Sequence, residues 1–359
     1  MKRSQLIIAL LLSYHASYPQ LPAAKNIFIV TIDGIRWQEV FQGPDASILN
    51  DIHYSKTGEL SRLLYYDTCA TESRKKLLPF FWNVVAQKGR LYGNRLLNNK
   101  VNVSNAYKFS YPGYNEMLTG YPDIHVNSNR AVENENINVL EYLDDLDEFK
   151  NNVAAFTSWN IFPYILNKNR NVLPVYSGYD SLPANGNINL QLFNVLQQNF
   201  VVDKNATRSD DLTFIAASEY IKTNKPKVVL IGFGECDEDG HAGNYDAYLQ
   251  HLNRADKMIA ELWYHIQSTP EYRDKTILLI TTDHGRGRKQ GTWANHDALI
   301  KGSGDTWLAA IGPGISAMGE MKVPGQIYQK QIAATISTIL GQNFTANHPV
   351  ATAIDLKNH

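Results

Sequence analysis

Acidic and imidazole side chains follow three apolar stretches of this 359-residue chain. Asp33 begins an Asp-Gly pair, Asp237 and His241 frame an Asp-x-x-Gly-His motif, and Asp283 and His284 begin an Asp-His-Gly motif. Ligands of open α/β sheets gather outside the carboxyl ends of the strands, so we expect these side chains to lie at one sheet edge. Each motif alone is also typical of a capped strand end or a solvated acidic loop, but their recurrence favours a shared metal site.

Two further residues complete the set of candidate ligands. His296 follows the third motif, and Ser110 stands in a Ser-Tyr-Pro-Gly-Tyr turn that could present its hydroxyl at a helix start. On local sequence alone, a surface histidine and a helix-cap serine are the simpler interpretations. Three carboxylates and three imidazoles, however, suit two zinc ions, because Zn²⁺ accepts both ligand types and leaves room for water or substrate. Two such ions can hold an attacking and a leaving oxygen.

Alternating strands and helices must position these residues. Continuous apolar runs predict buried strands over 27–32, 153–159, 227–234, 278–282 and 307–311. Apolar residues at helical spacing predict helices over 78–88, 245–266 and 327–340. This alternation indicates an α/β fold with a mainly parallel central sheet and helices on both faces. Sequence rich in Asn, Pro and Gly predicts a small cap or loop insertion at roughly 160–210.

The bulk composition is that of an ordinary globular domain, predicted to span residues 25–359. A net charge of −1 provides no field that would attract nucleic acid or an anionic membrane. The basic start and short apolar run within residues 1–24 predict a signal peptide, and hence a periplasmic or secreted protein; a buried N-terminal helix is the alternative. No later stretch is apolar enough to span a membrane. Cys69 and Cys236 could pair in an exported protein, but one pair is not a disulfide framework, and free thiols are the favoured interpretation.

In this order the motifs resemble the alkaline phosphatase superfamily, and within it the type I phosphodiesterase/nucleotide pyrophosphatase branch. The resemblance runs from Ile27 to Leu340, and the Ser-Tyr-Pro-Gly-Tyr turn corresponds to the branch's Thr-Phe-Pro-Asn-His. It implies an alkaline-phosphatase-like fold, a nucleophilic Ser110 and two zinc ions, with manganese or iron as alternatives. It also assigns the ligands, which are Asp33, Ser110, Asp283 and His284 for one ion and Asp237, His241 and His296 for the other.

Around the proposed nucleophile the chain departs from that branch. Gly113 and Tyr114 stand where the branch has Asn and His, so we expect a different substrate pocket. The asparagine with which the branch contacts a phosphoryl oxygen would fall near Asn127 or Asn129. The predicted substrate contacts are Tyr111, Tyr114, Asn127, Asn129 and Trp159. Trp293 is a further candidate for the apolar wall against which the leaving group would pack. Ordinary packing is an equally open interpretation of the aromatic residues.

These features predict an exported hydrolase of phosphoric esters that acts on a small-molecule ester or diester through a phosphoseryl intermediate on Ser110. A phosphodiesterase is the first hypothesis. A phosphomonoesterase, or a phosphonate or sulfate-ester hydrolase, is the alternative; a monoester site would need another cation, such as Lys108, Arg130 or Arg286. Tyr114 replaces the arginine of the sulfatase turn, which disfavours a formylglycine sulfatase. The alternative to an enzyme is a metal-containing binding protein without catalytic activity.

Overall fold

The computed structural model describes residues 24–201 and 203–356, so the predicted signal peptide at 1–24 lies outside it apart from Ala24. The strands of the described chain are β1 Asn26–Ile32, β2 Gly89–Tyr92, β3 Asn99–Asn102, β4 Val153–Thr157, β5 Val175–Ser177, β6 Val228–Phe233, β7 Thr276–Thr281, β8 Asp305–Thr306, β9 Leu308–Ile311, β10 Gly319–Glu320 and β11 Gly325–Tyr328.

Helices separate most of these strands. They are α1 Trp37–Gln42, α2 Ala46–Leu49, α3 Gly58–Tyr65, α4 Ala70–Leu77, α5 Ala86–Lys88, α6 Ser110–Thr119, α7 Val139–Asp144, α8 Phe162–Ile165, α9 Ile188–Phe200, α10 Asp210–Asn224, α11 Glu235–His241, α12 Tyr245–Ser268 and α13 Ile332–Ile339. A π-helical segment, Phe81–Val85, directly precedes α5, and three short 3₁₀ turns lie elsewhere, namely Arg95–Leu97, Gln290–Thr292 and Gln329–Gln331.

An eight-stranded sheet in the order β10-β2-β9-β7-β1-β6-β4-β5 forms the centre of the fold. β9 runs antiparallel to both of its neighbours, and the other pairings in this sheet are parallel. The predicted α/β class with a mainly parallel sheet is confirmed. A smaller sheet in the order β11-β3-β8 lies beside it.

Successive residues of the central strands point into two hydrophobic cores. Phe28, Val30 and Ile32 of β1 pack in the core that contains α12, whereas Ile27 and Ile29 pack in the core that contains α6, α7 and α13. Both sheet faces are therefore covered, which explains why the strand sequences are apolar throughout rather than alternating. The carboxyl ends of these strands form the edge on which the predicted ligands lie.

The segment predicted as a cap contains α8, β5 and α9. The structure differs from that prediction in one respect, because Val175–Ser177 adds a parallel edge strand to the main sheet beside β4. Leu190 and Phe193 of α9 pack into the α12-side core. Both cysteines are free, with Cys69 exposed and Cys236 buried. In the part of the chain that is described, every helix is too short or too polar to cross a bilayer.

Candidate metal centre

Neighbouring strands bring the first group of predicted ligands together. β1 lies between β7 and β6, and Thr31 is paired with Thr281 on one side and with Gly232 on the other. The three strands therefore end nearly level. Asp33 lies just beyond β1, and Asp283 lies just beyond β7. The convergence expected from the motif positions is observed at this edge.

Asp33, Asp283 and His284 form what we call the strand-end cluster. The Nε2 atom of His284 lies 3.3 Å from Asp33 Oδ1 and 3.5 Å from Asp283 Oδ2. Its Nδ1 atom lies 2.9 Å from the carbonyl oxygen of Gly285 and can bond to it only as a donor. This hydrogen bond fixes the tautomer in which Nε2 carries a lone pair directed toward the carboxylates.

The strand-end cluster has the properties expected of a cation site. Asp33 Oδ1 and Asp283 Oδ2 are buried and have no hydrogen-bond donor within the described residues. Burial raises the pKa of the Asp33 carboxyl, and the nearby Asp237 adds to this; burial also raises the pKa of Asp283, with a further contribution from Asp33. Two carboxylate oxygens and an imidazole lone pair thus face one another without a directly paired lysine or arginine among the described residues. These donors fit a divalent metal ion.

Asp237, His241 and His296 form a second group, which we call the helix cluster. Asp237 and His241 lie four residues apart on α11 and therefore share one face, with 3.1 Å between Asp237 Oδ2 and His241 Nε2. His296 Nε2 lies 2.9 Å from His241 Nε2 and 3.6 Å from Asp237 Oδ1. The side chain of His241 is 51% exposed, so this cluster forms the outer part of the centre.

His296 joins the two clusters. Its ring stacks on that of His284 with 3.9 Å between centroids, and its Nδ1 lies 3.4 Å from the carbonyl oxygen of Lys108. Burial, followed by the nearby His284, lowers the pKa of His296 to about 2, so the ring is neutral and can act as a ligand. Donor atoms of Asp237, His284 and His296 lie within 4.8 Å of one another, as do those of Asp33, Asp283 and His284. His284 therefore belongs to both sets of donors.

Arg286 forms a buried ion pair with Asp237. Its Nη1 bonds to Asp237 Oδ1, its Nε donates to the carbonyl of Trp293 at 3.1 Å, and its Nη2 donates to the carbonyl of Ala294. Burial acts to raise the pKa of Asp237, but Arg286 and His241 hold it well below its usual range. Because its guanidinium is committed to these partners, Arg286 is not the free phosphate-binding cation that the sequence suggested.

Ser110 is the first residue of α6, as the Ser-Tyr-Pro-Gly turn predicts. Its Oγ lies 3.2 Å from His284 Nε2. The helix approaches the end of β7 so closely that a Cβ on Gly113 would lie 2.7 Å from the carbonyl oxygen of Asp283. A side chain on residue 113 would therefore collide with the backbone at the end of β7. The same close packing places the Ser110 hydroxyl at the junction of the two clusters.

Asn129 contacts the Ser-Tyr-Pro-Gly turn that carries Ser110, whereas no described hydrogen bond joins Asn127 to it. The side-chain oxygen of Asn129 accepts a hydrogen bond from the backbone N–H of Tyr111 at 2.9 Å. The next residue, Pro112, has no N–H, and the N–H of Gly113 bonds to the carbonyl of Phe109. The amides at this helix start are therefore largely occupied. Asn127 is exposed and lines a neighbouring cavity of about 270 Å³.

Most aromatic residues of the predicted substrate wall lie in the protein interior. Tyr114 is fully buried and donates from its hydroxyl to Asp33 Oδ2 at 3.3 Å, so it supports a candidate ligand instead of meeting a substrate. Tyr111 is also buried, and its hydroxyl donates to the carbonyl of Val132 at 2.6 Å. Trp293 is fully buried among aromatic rings. Trp159 is partly exposed beyond β4 and packs edge-on against Phe162.

Sequence reasoning missed two supporting roles in this centre. The pairing of Arg286 with Asp237 and the bond of Tyr114 to Asp33 join residues far apart in the chain, and no local pattern indicates either. Spacing gives only indirect clues to these contacts. Arg286 stands two residues after His284 and must therefore lie near the same sheet edge. Tyr114 lies four residues after Ser110 on α6, which places the two on the same face.

Several solved structures have the same architecture, among them an alkaline phosphatase, a lipoteichoic acid synthase and a phosphonate monoester hydrolase. The alkaline phosphatase PafA matches with a TM-score of 0.59 and 10% identity, covering 94% of this chain and 100% of that one. The lipoteichoic acid synthase LtaP from Listeria monocytogenes gives 0.56 and 13%, covering 93% and 76%. The phosphonate monoester hydrolase of Agrobacterium radiobacter gives 0.55 and 12%, covering 92% and 76%. At these identities the likeness concerns the fold, and the chain has the alkaline-phosphatase-like fold.

Comparison at the level of sequence gives one family match and one aligned relative, each for part of the chain. Residues 190–298 match the family model described as the Metalloenzyme superfamily, and this segment carries Asp237, His241, Asp283, His284 and His296. A 2,3-bisphosphoglycerate-independent phosphoglycerate mutase from Gracilaria tenuistipitata var. liui is 33% identical over 70 residues, which is 20% of this chain. The aligned part spans only 13% of that enzyme. The predicted alkaline-phosphatase-like fold is confirmed, whereas no comparison selects a branch of the superfamily that the motifs resemble.

Proposed function

We propose that this protein is a binuclear-metal hydrolase of phosphoric esters, and that a phosphodiester is its substrate class. The observation that carries the proposal is the position of Ser110, whose Oγ lies 3.2 Å from Nε2 of His284, the residue common to both donor sets. A hydroxyl at the start of a helix, beside acceptors that lack a counter-charge, is the arrangement needed for a metal-activated nucleophile.

The two clusters divide the metal ligands. Asp33, Asp283 and His284, with Ser110, would hold one ion, and Asp237, His241 and His296 would hold the other. Zinc is the proposed metal because carboxylate and imidazole donors at low coordination number suit it, with manganese or iron as the alternatives. When bound, the ions supply charge that lowers the pKa of a hydroxyl and stabilises a departing oxygen.

The residues of the chain hold and transfer the phosphoryl group. Ser110 Oγ attacks phosphorus in line, the bond from phosphorus to the leaving oxygen breaks, and the alcohol departs with the proton that the serine hydroxyl loses. A water molecule then attacks phosphorus of the covalent intermediate, which still carries the second ester group. The bond from phosphorus to Ser110 Oγ breaks, a phosphate monoester is released, and one proton of the water returns to Ser110. The hydrogen bonds from His284 to Gly285 and from His296 to Lys108 keep both rings oriented during these steps.

The charges around Ser110 favour a diester over a monoester. A monoester carries an extra negative charge and needs a further cation over its oxygens. Arg286 is committed to Asp237, Lys108 Nζ donates to the carbonyl of Ala298 at 3.1 Å, and Arg130 is exposed beside Ser128. Among the described contacts, none of the three candidate cations reaches the Ser110 hydroxyl. Asn129 is the neutral group nearest the nucleophile turn and is proposed to contact the substrate once its bond to Tyr111 opens.

The test compares hydrolysis of bis(p-nitrophenyl) phosphate with that of p-nitrophenyl phosphate by zinc-loaded protein. We expect the diester to be preferred, and Ser110→Ala to lower its turnover by at least about 10³-fold. Ser104→Ala is the matched control, because Ser104 belongs to neither cluster of candidate ligands. Preference for the monoester would assign a phosphatase, and unchanged turnover in Ser110→Ala would exclude the assigned nucleophile.

Zinc binding without turnover of either ester would support the binding-protein alternative. A screen of phosphonate and sulfate esters with the same two variants distinguishes that outcome from a different hydrolase. We also propose that the protein is exported to the periplasm or secreted, as the basic and apolar residues at 1–24 suggest. N-terminal sequencing of the protein recovered outside the cytoplasm tests this, and an intact Met1 there would contradict cleavage.

A further inference from the structure

A second cavity, of about 500 Å³, lies beside the small sheet and away from Ser110. Arg95 and Lys100 reach it from the segment around β3, and Arg288 reaches it from the loop that follows the Asp-His-Gly motif. Trp37, the first residue of α1, supplies part of its wall. We call this cavity the basic pocket, because Asp305 is the acidic residue among those that line it.

The carboxylate of Asp305 is already shared by two arginines. Arg95 Nη2 lies 3.0 Å from Asp305 Oδ1, and Arg288 Nε lies 2.6 Å from Asp305 Oδ2. Lys100 forms no ion pair or hydrogen bond through its ammonium group with any described residue. Three cations therefore surround one anion, which leaves two positive charges without compensation within the pocket.

These cations are held close enough to repel one another. The Arg95 side chain is only 11% exposed, and its Nε has no acceptor among the described residues. Burial lowers the pKa of Arg95, Asp305 opposes this, and Arg288 lowers the pKa further. Arg288 is about half exposed, so its remaining N–H groups are open to a ligand. An arrangement of this kind gains stability when a further anion enters.

We infer that the basic pocket binds an oxyanion, a phosphate or sulfate group. The guanidinium N–H groups suit the oxygens of such a group, and the unpaired Lys100 supplies a third charge. Carboxylates of the centre play no part in this binding. The inference therefore stands apart from the proposed hydrolysis, and the pocket takes its ligand whether or not Ser110 is a nucleophile.

The probe is inorganic sulfate, titrated calorimetrically into full-length protein at constant ionic strength, so that non-specific screening does not change during the experiment. We expect saturable binding that weakens at least about tenfold in the double variant Lys100→Gln/Arg288→Gln, because two charged donors are lost. Asp305 keeps its bond to Arg95 in this variant, which protects the fold. Ser110→Ala and Lys150→Gln, an exposed lysine elsewhere, should bind sulfate as the wild type does.

Three results would overturn the inference. They are the absence of saturable sulfate binding, an unchanged affinity in the double variant, and an equal loss in Lys150→Gln. An unchanged affinity in the double variant would mean that sulfate binds at the metal centre or diffusely. Circular dichroism of the double variant should match that of the wild type, and inorganic phosphate titrated in the same way should show the same dependence on Lys100 and Arg288.

Discussion

The strand-end cluster and the helix cluster lie side by side but are built differently. Asp33, Asp283 and His284 follow adjacent strands, and their side chains are at most 6% exposed. Asp237 and His241 lie on a seven-residue helix, and the side chain of His241 is 51% exposed. The first cluster is thus fixed by the sheet, whereas the second depends on contacts made by one short helix and a loop.

The two clusters also differ in their counter-charge. The strand-end cluster has two carboxylates and no described basic side chain paired with either, although Arg286 lies near enough to reduce the pKa shift of Asp33. The helix cluster has one carboxylate, and Arg286 neutralises it. A divalent ion therefore gains more from the strand-end cluster, and we expect the tighter of the two metal sites there. This asymmetry can be tested by changing each cluster in turn.

The largest effect is expected from Asp283→Asn. Removal of this carboxylate should lower hydrolysis of bis(p-nitrophenyl) phosphate by at least about 10³-fold, because the tighter site loses a charged ligand. The melting temperature of the chelator-treated protein should rise, since Asp33 and Asp283 no longer repel each other. Initial rates and calorimetry measure the two effects.

Asp237→Asn is the matched substitution in the helix cluster. Here the chelator-treated protein should melt at a lower temperature, because a buried Arg286 is left without its partner. The opposite signs of the two shifts in melting temperature are the signature of the different counter-charges. Shifts of equal sign would show that the clusters do not differ in this way.

Arg286→Met should lower the free energy of unfolding of the metal-free protein by about 3–5 kcal/mol. The variant leaves Asp237 unpaired and removes the donors to the carbonyls of Trp293 and Ala294. Arg286→Lys keeps the charge but loses the planar fork, so a smaller loss is expected. Denaturant unfolding measures both, and equal stability of wild type and Arg286→Met would refute the structural role of this ion pair.

His241→Ala should affect the second metal and leave the first in place. We expect affinity for the weaker-bound zinc to fall by at least about 10–100-fold, the range seen even for outer-shell partners of metal ligands. Because His241 is half exposed, the metal-free stability should change by less than about 0.5 kcal/mol. Equilibrium dialysis against zinc provides the measurement. Loss of both ions would contradict the independence of the strand-end cluster.

The smallest effect concerns His251, a residue of α12 whose ring bonds to α11. Its Nδ1 bonds to Asp239 at 2.6 Å, and this bond raises the pKa of His251 to about 9, with Glu235 contributing. A raised histidine pKa means that the stabilisation is complete below about pH 6.5 and is lost as pH rises through about 9. Since the ring is partly exposed, its contribution is about 1 kcal/mol.

The matching variant is His251→Gln. Its deficit in unfolding free energy should be present at pH 7 and disappear near pH 10, as measured by urea unfolding across that range. A deficit that is independent of pH would mean that the ring contributes by packing alone.

The fold and the convergence of the candidate ligands could be predicted because both follow from local pattern. Apolar runs such as that preceding Asp283 specify strands covered on both faces, and parallel strands end at one edge. The antiparallel direction of β9 could not be predicted, because its apolar sequence resembles that of the parallel strands of the sheet. The helix after Asn244 was predictable from the spacing of its apolar face.

The details around Ser110 depend on contacts between distant segments. Tyr114 looks like a substrate aromatic in sequence, yet α6 turns it into the core, where it meets Asp33. Asn127 and Asn129 could not be separated by sequence, because only the fold shows which of them reaches the N–H of Tyr111. Sequence pattern thus indicates candidate ligands well and their supporting residues poorly.

A calorimetric titration of the full-length, chelator-treated protein with zinc tests the central claim most directly. The account predicts two ions per chain in two steps of different affinity. It also predicts that Asp283→Asn removes the tighter step and His241→Ala the weaker one. Binding of a single ion by the wild type, or loss of the tighter step in His241→Ala, would contradict the two-cluster centre.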